Sequence, residues 1–199
     1  ICNFYQCPCL KMKKFLFLIP VFLIGCKKNP NRVEKMSANN GENIVKKYYK
    51  NNSKTKMEVY DKKSGNLLII TEFNKETITK IVEFHPNQNK KLIASLIKSP
   101  NFFDVKNYFE NGKKESEGSV IYDYKKQKLI PVSDWIYYNP KTSEADSIGH
   151  YFSDGNLSFL AEVDRIDNKA KKIEKIKYFE IKPKDTLKNS INWEVKRIR

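Results

Sequence analysis

Beyond residue 26 the sequence has no cysteine; Cys2, Cys7, Cys9 and Cys26 are the only four. No disulfide can staple the rest of the chain, even in an oxidising compartment, so packing alone must hold it. Cys7-Pro8-Cys9 lacks the second pair that a structural zinc would need. Histidine is as scarce, with only His85 and His150, set on separate segments as surface or turn residues commonly are. There is no G-x-S-x-G elbow, no phosphate-cradling glycine loop and no nucleophilic cysteine in the body. Asp123, Asp134, Asp146 and Asp154 show no metal-loop spacing, and Glu115 and Glu117 share one side of a strand as solvated acids do. These absences set the expectation: no catalysis, no metal and no cofactor. A long apolar run is missing as well. The longest, Phe15 to Gly25, would rise about 16 Å as a helix, roughly half a hydrocarbon core.

What that short run suits is export. Lys13 and Lys14 precede it and Cys26 closes it, the layout of a secretory signal. Leu23-Ile24-Gly25-Cys26 resembles the lipobox of bacterial lipoprotein signal peptides. The resemblance implies cleavage between Gly25 and Cys26, with Cys26 as the lipid attachment site. Residues 1–11 precede the first methionine and read as an over-extended start, which places the working start at Met12. The signal peptide is then residues 1–25. Residues 26–41, polar with scattered Pro, Asn and Gly, read as a lipid-anchored flexible tether. Residues 42–199 form the body.

The charge is lopsided. The whole chain carries +15, and losing Lys11, Lys13 and Lys14 with the signal leaves +12. Such a balance favours acidic partners. Export removes nucleic acid from that set and leaves membrane lipid, an envelope protein or an acidic polysaccharide. Lys27, rather than an aspartate after the cysteine, points to an outer-membrane or periplasmic-face anchor.

From about residue 44 the apolar residues alternate with period two. Lys62 to Asn66, Pro86 to Asn89, Gly112, Asn139-Pro140, Asp154-Gly155 and Pro183 to Asp185 supply turn chemistry between strand-like runs. Lys175 to Ile181 and Ile191 to Ile198 read as the last two strands, and Ala170 to Lys177 as the one segment with a helical pattern. Gly112 and Gly155 are the turn glycines expected to take positive φ.

Aromatics recur at Tyr48, Tyr60, Phe73 and Phe84, and again at Phe109, Tyr124, Tyr138 and Phe152, at roughly constant spacing. Tyr108 to Gly118, Tyr137 to Gly149 and Tyr151 to Asn156 each begin with an aromatic pair and then reach an Asn, Asp or Pro turn. These units resemble the Y-Y-x-N-G-K repeats of the MORN-variant proteins, a group labelled YwqK-like antitoxins and including many lipoproteins. The match covers Tyr108 to Asn156, weakens over Tyr48 to Leu96 and is absent from the last 40 or so residues. It implies an all-β fold, an antiparallel meander of tandem hairpins in an extended sheet compatible with a single layer.

The functional reading is a lipid-anchored, non-catalytic envelope protein displaying a binding or scaffold surface. Tyr108, Tyr137, Tyr138 and Tyr151 are the candidate binding aromatics, since rings among lysines can hold carbohydrate or another protein's sheet edge. Their spacing also suits rings that simply cover a sheet face. The alternative is a lipid-anchored barrel or sandwich that binds a small apolar or carbohydrate ligand, which would need an inward apolar set on every strand. With no cysteine after position 26, residues 27–199 should melt at the same temperature with and without reductant; a reductant-sensitive midpoint would show that a covalent link had been missed.

Overall fold

Five of the hairpins begin with a side chain that closes the turn. Asp61 Oδ1 accepts from the Ser64 N–H (2.6 Å), and Asn111 Oδ1 from the Lys113 N–H (3.0 Å). Asp123 and Asp167 do the same two and three residues on, at 2.9–3.1 Å. Asn and Asp favour turns because this bond substitutes for a backbone one. Asn139, followed by proline, accepts from the Lys141 and Thr142 N–H groups (2.9 and 3.2 Å), and Ser143 takes the left-handed conformation (φ +64°). The missing Asn-Gly at that turn is thereby replaced. Gly112 has φ +81°, as expected. Elsewhere Asn52, Lys75, Gln88, Gln127 and Lys171 occupy left-handed positions, which explains how so many turns form with so few glycines.

The structure, a computed structural model, describes residues 30–153, 158–187 and 190–198. The signal peptide with Gly25 and Cys26, and the Asp154-Gly155 turn, lie outside the described residues. Twelve strands follow one another in a single antiparallel sheet, in strict chain order. They are β1 (Arg32–Ala38), β2 (Asn43–Lys50), β3 (Ser53–Asp61), β4 (Leu67–Asn74), β5 (Thr77–Phe84) and β6 (Lys90–Lys98). Then come β7 (Phe102–Tyr108), β8 (Lys114–Asp123), β9 (Lys128–Tyr138), β10 (Ala145–Ser153), β11 (Ser158–Asp167) and β12 (Lys172–Lys177). A separate hairpin, β13 (Phe179–Leu187) and β14 (Ser190–Arg197), follows. The all-β meander read from the sequence is what the chain forms. The sheet stays open, which corrects the alternative of a closed barrel.

Two segments depart from expectation. The tether reading of residues 26–41 gives way from Arg32 onward, because β1 pairs with β2 from Arg32↔Tyr49 to Ala38↔Asn43. Backbone pairing and side-chain contacts to Tyr49 order this polar strand without an apolar period: Arg32 lies 3.9 Å from its ring centroid, and its hydroxyl donates to Glu34. The run from Lys175 to Ile181 is not one strand. It breaks at Tyr178, whose N–H still bonds Ala161 O (2.9 Å), and the chain then leaves the sheet as β13. The helical pattern over Ala170 to Lys177 resolves into the β11–β12 turn and β12. Among the described residues the only helical element is a 3-10 turn, Asn39–Gly41, and no helix is long and apolar enough to cross a membrane.

Strand contacts are almost entirely between sequence neighbours; β9–β11 and β11–β13 are the main exceptions. Among the described residues no second sheet layer covers the face that carries Phe103 and Trp135, so that face must be buried by its own side chains. Every interior pair, from β2–β3 to β10–β11, carries a register shift, and the terminal pairs β1–β2 and β11–β12 carry none. Bulges add right-handed twist and curl a sheet, drawing the side chains of one face together. Phe103 is fully buried, and Val105 and Val120 nearly so, at 1 % exposure. They form a core with Ile78, Ile81, Ala94 and Trp135, flanked by Leu92, Tyr122, Tyr137 and Tyr151.

Trp135 completes that core at a glycine. Residues paired directly across an antiparallel sheet share a face, and Gly118, Trp135 and Gly149 lie in one row across β8, β9 and β10. A Cβ on Gly118 would sit 2.6 Å from the indole ring, so the ring lies directly on the glycine backbone. The indole N–H donates to Ser119 O (3.1 Å). A Gly118→Ala protein should therefore lose about 1–3 kcal/mol through overpacking, more than the ~1 kcal/mol expected for Gly112→Ala, where φ is positive but nothing lies within 4 Å. Urea denaturation of the two variants checks the ranking.

Candidate functional site

On the face opposite Trp135 the register builds an ionic row. It runs from Lys35 through Lys46, Glu58, Val82, Lys106 and Glu117 to Asp164 and Lys175, one residue per strand with aliphatics between. Three polar clusters stand along or beside it.

The first surrounds Glu58, which is buried in the sheet. It accepts from the Tyr48 and Tyr60 hydroxyls (2.5 and 2.8 Å) and pairs with Lys56 (2.8 Å). The Lys56 and Lys46 ammonium groups lie 4.3 and 4.4 Å from the ring centroids of Tyr48 and Tyr60. Burial alone would raise the carboxyl pKa, but the three donors outweigh it and hold it below its ordinary range. The Glu58 bond, with help from burial, pushes Tyr48 up to about 12. The second cluster repeats the design: Glu117 accepts from Tyr138 and from Lys114 Nζ (3.0 Å), which lies 5.1 Å from the Tyr138 ring centroid. The Tyr138 bond, then Lys114, keeps Glu117 acidic against the opposing effect of burial.

The third cluster spans β9 to β12. His150 Nδ1 lies 2.7 Å from Asp134 Oδ1, and Nε2 lies 3.5 Å from Asp164 Oδ2. Lys175 reaches Asp164 (3.6 Å) and Glu162 (3.9 Å), and Lys177 reaches Glu162 (3.6 Å). Asp134 comes within reach because β9 carries two extra residues, Ser133 and Asp134, opposite the Gly118/Ser119 step, with Ser133 left-handed. The Asp134 bond raises the His150 pKa, opposed by partial burial. Beside this cluster a cleft of about 690 Å³ opens between the sheet and the β13–β14 hairpin. Its floor holds His150, Glu162, Lys175 and Lys177, and its lining includes Phe152, Phe179 and Ile181. The hairpin is held there by a chain of rings, Trp193–Phe152–Phe159–Phe179, with centroids 5.3, 5.5 and 4.7 Å apart.

The four candidate tyrosines divide between the faces. Tyr137 and Tyr151 pack beside the core, their hydroxyls 2.9 Å apart, and Tyr151 meets Trp135 edge-on at 6.4 Å. Burial, then the Tyr151 bond, raises the Tyr137 pKa strongly. Tyr138 and Tyr108 lie on the ionic face, and the Tyr108 carbonyl accepts from His85 Nε2 (2.7 Å). Sequence spacing could not single out the His150 cluster, whose members come from four strands. The relevant signal is register: Asp134, His150 and Glu162 pair in succession across β9, β10 and β11. Compared with protein-family models and with curated proteins, the chain matches none.

The carboxylate clusters give stability a defined pH dependence. Glu58 and Glu117 have folded pKa values below their unfolded ones. Their contribution is present above the unfolded value and lost as pH falls through the folded one. Tyr48, raised from 10 to about 12, contributes below pH 10 and loses that contribution as pH climbs to 12. Urea midpoints measured from pH 3 to 12 should fall at both ends, and Glu58→Gln should flatten both limbs.

Proposed function

We propose that the chain is a membrane-anchored, non-catalytic lipoprotein of the cell envelope, held by an acylated Cys26, whose open sheet is a binding or scaffold surface. The observation that carries the surface reading is the ionic face with lysines laid over tyrosines: Lys46 on Tyr60, Lys56 on Tyr48 and Lys114 on Tyr138. A ring that already holds a cation keeps that cation in a fixed place; an acidic group of a partner would share Lys56 and Lys114 with Glu58 and Glu117. The edge strands argue for the face over the edges. β1 presents Arg32, Glu34 and Lys35, and β12 presents Lys172, Glu174, Lys175 and Lys177; charges of this kind discourage added strands. The partners that fit are an envelope protein with an acidic surface or an acidic polysaccharide, at the outer membrane or on its periplasmic side. The tandem hairpins and the motifs of Tyr108 to Asn156 support kinship with the MORN-variant repeat proteins.

Anchoring and binding are tested separately. Two acyl chains make attachment effectively stable, each buried CH₂ contributing about 0.8 kcal/mol. A Cys26→Ala chain should stay uncut and incorporate no labelled palmitate; label that persists would refute the anchor. Retention of the protein on an acidic polysaccharide matrix at about 0.1 M salt should drop when Lys46, Lys56 and Lys114 are replaced by serine. Retention unchanged by the triple substitution would refute the binding face while leaving the anchor intact.

A further inference from the structure

Two buried polar atoms in the third cluster have no hydrogen-bond partner: His150 Nε2 and Asp164 Oδ1. With Nδ1–H donated to Asp134, Nε2 of the neutral ring carries a lone pair. In that form it faces Asp164 Oδ2 at 3.5 Å, so two acceptors confront each other where Asp164 is only 8 % exposed. Such a pair is unfavourable unless something positive stands between them. One donor atom from each of His150, Glu162 and Asp164 lies within 4.8 Å of the others.

We propose that His150, Glu162 and Asp164 bind a divalent transition-metal cation of the zinc class, with Asp134 as a positioning residue. A tetrahedral ion with bonds of about 2.1 Å sets its ligand atoms roughly 3.4 Å apart. The His150–Asp164 separation already has that bite, and Glu162 offers a third oxygen within 4.8 Å of both. One imidazole nitrogen and two carboxylates suit zinc, cobalt or nickel better than calcium or magnesium, which prefer oxygen alone. Asp134 on Nδ1 supplies the outer carboxylate that fixes the tautomer of a metal-ligating histidine. His150 and Glu162 line the cleft beside Phe152 and Phe179, from which water or a ligand group would complete the shell. Lys175 bridges Asp164 and Glu162 with one exposed ammonium, the electrostatic part the metal would take over.

The test is Co²⁺ and Zn²⁺ titration of the full chain with its four cysteines replaced by serine, so that no thiolate competes. Co²⁺ should give the visible d–d bands of a nitrogen- and oxygen-ligated ion at one per chain, with Zn²⁺ displacing it. His150→Ala and Asp164→Asn should each weaken binding at least tenfold, and Asp134→Asn by about 10-fold. Lys175→Met, which removes the competing cation, should tighten it. Far-UV circular dichroism and the urea midpoint of each variant separate lost ligands from lost fold, and His150→Gln serves if alanine unfolds the sheet. Co²⁺ affinity equal in the parent and the folded His150 variants overturns the proposal. So does the absence of binding at millimolar metal in both the parent and Lys175→Met; the two facing acceptors would then be bridged by a proton alone.

Discussion

A sheet with no second layer has to find its own cover, and the contact of Trp135 with Gly118 is where that requirement is met most tightly. Antiparallel sheets ordinarily bury one face against a helix or another sheet. Here the bulges curl twelve strands so that large side chains on one strand lie over small ones on the next. Trp135 can lie flat because its row neighbour Gly118 lacks a side chain, while the space beside Gly149, its other row neighbour, is taken by Leu160, Tyr137 and Tyr151. Ala94 performs the same service beside Ile81 and Val105, which flank it in that row. Burying the indole brings in a large apolar area at one point, and the N–H bond to Ser119 O keeps its polar edge satisfied.

The bulge that delivers Trp135 also delivers its neighbour. Inserting Ser133 and Asp134 into β9 shifts its register so that the indole meets Gly118 on the core face, with the Asp134 carboxylate on the opposite one, beside His150. Core packing and the polar cluster on β9 to β12 are thus two products of one irregularity. The ionic face elsewhere shows the same economy. Glu58 and Glu117 each hold a tyrosine and a lysine in place, and the lysine in turn covers a tyrosine ring. At these two clusters charge is organised by pairing with aromatics, which fixes Lys56 and Lys114 in position.

Strand order, hairpin turns and fold class were legible in the sequence because period-two alternation and Asx turns are local signals. The turn at Asn139-Pro140 could be read for the same reason, although its glycine is missing. Three things were not local. The strand at Arg32–Ala38 has no apolar pattern and is ordered by β2, so composition alone made it a tether. At the break, Tyr178 bonds two distant segments, its N–H to Ala161 O and its carbonyl to the Ile198 N–H. The cluster at His150 depends on register across four strands, and a one-residue slip would scatter it to the other face. For the aromatics, spacing showed that they follow the strand period without telling which of Tyr137 and Tyr138 faces the core.

Because each strand meets little beyond its chain neighbours, no long loop has to close before the next contact forms. Every pairing in the twelve-stranded sheet joins consecutive strands. Folding on such a topology resembles a zipper that grows from a nucleus toward both ends, with contact order far lower than in sandwiches or barrels. The largest fully buried side chains, Phe103, Val105 and Val120, belong to β7 and β8, near the middle of the order. Nucleation there would leave the ionic edges to close last. The same serial logic makes a hairpin the natural unit of duplication or loss, since adding one lengthens the sheet without disturbing any existing pair.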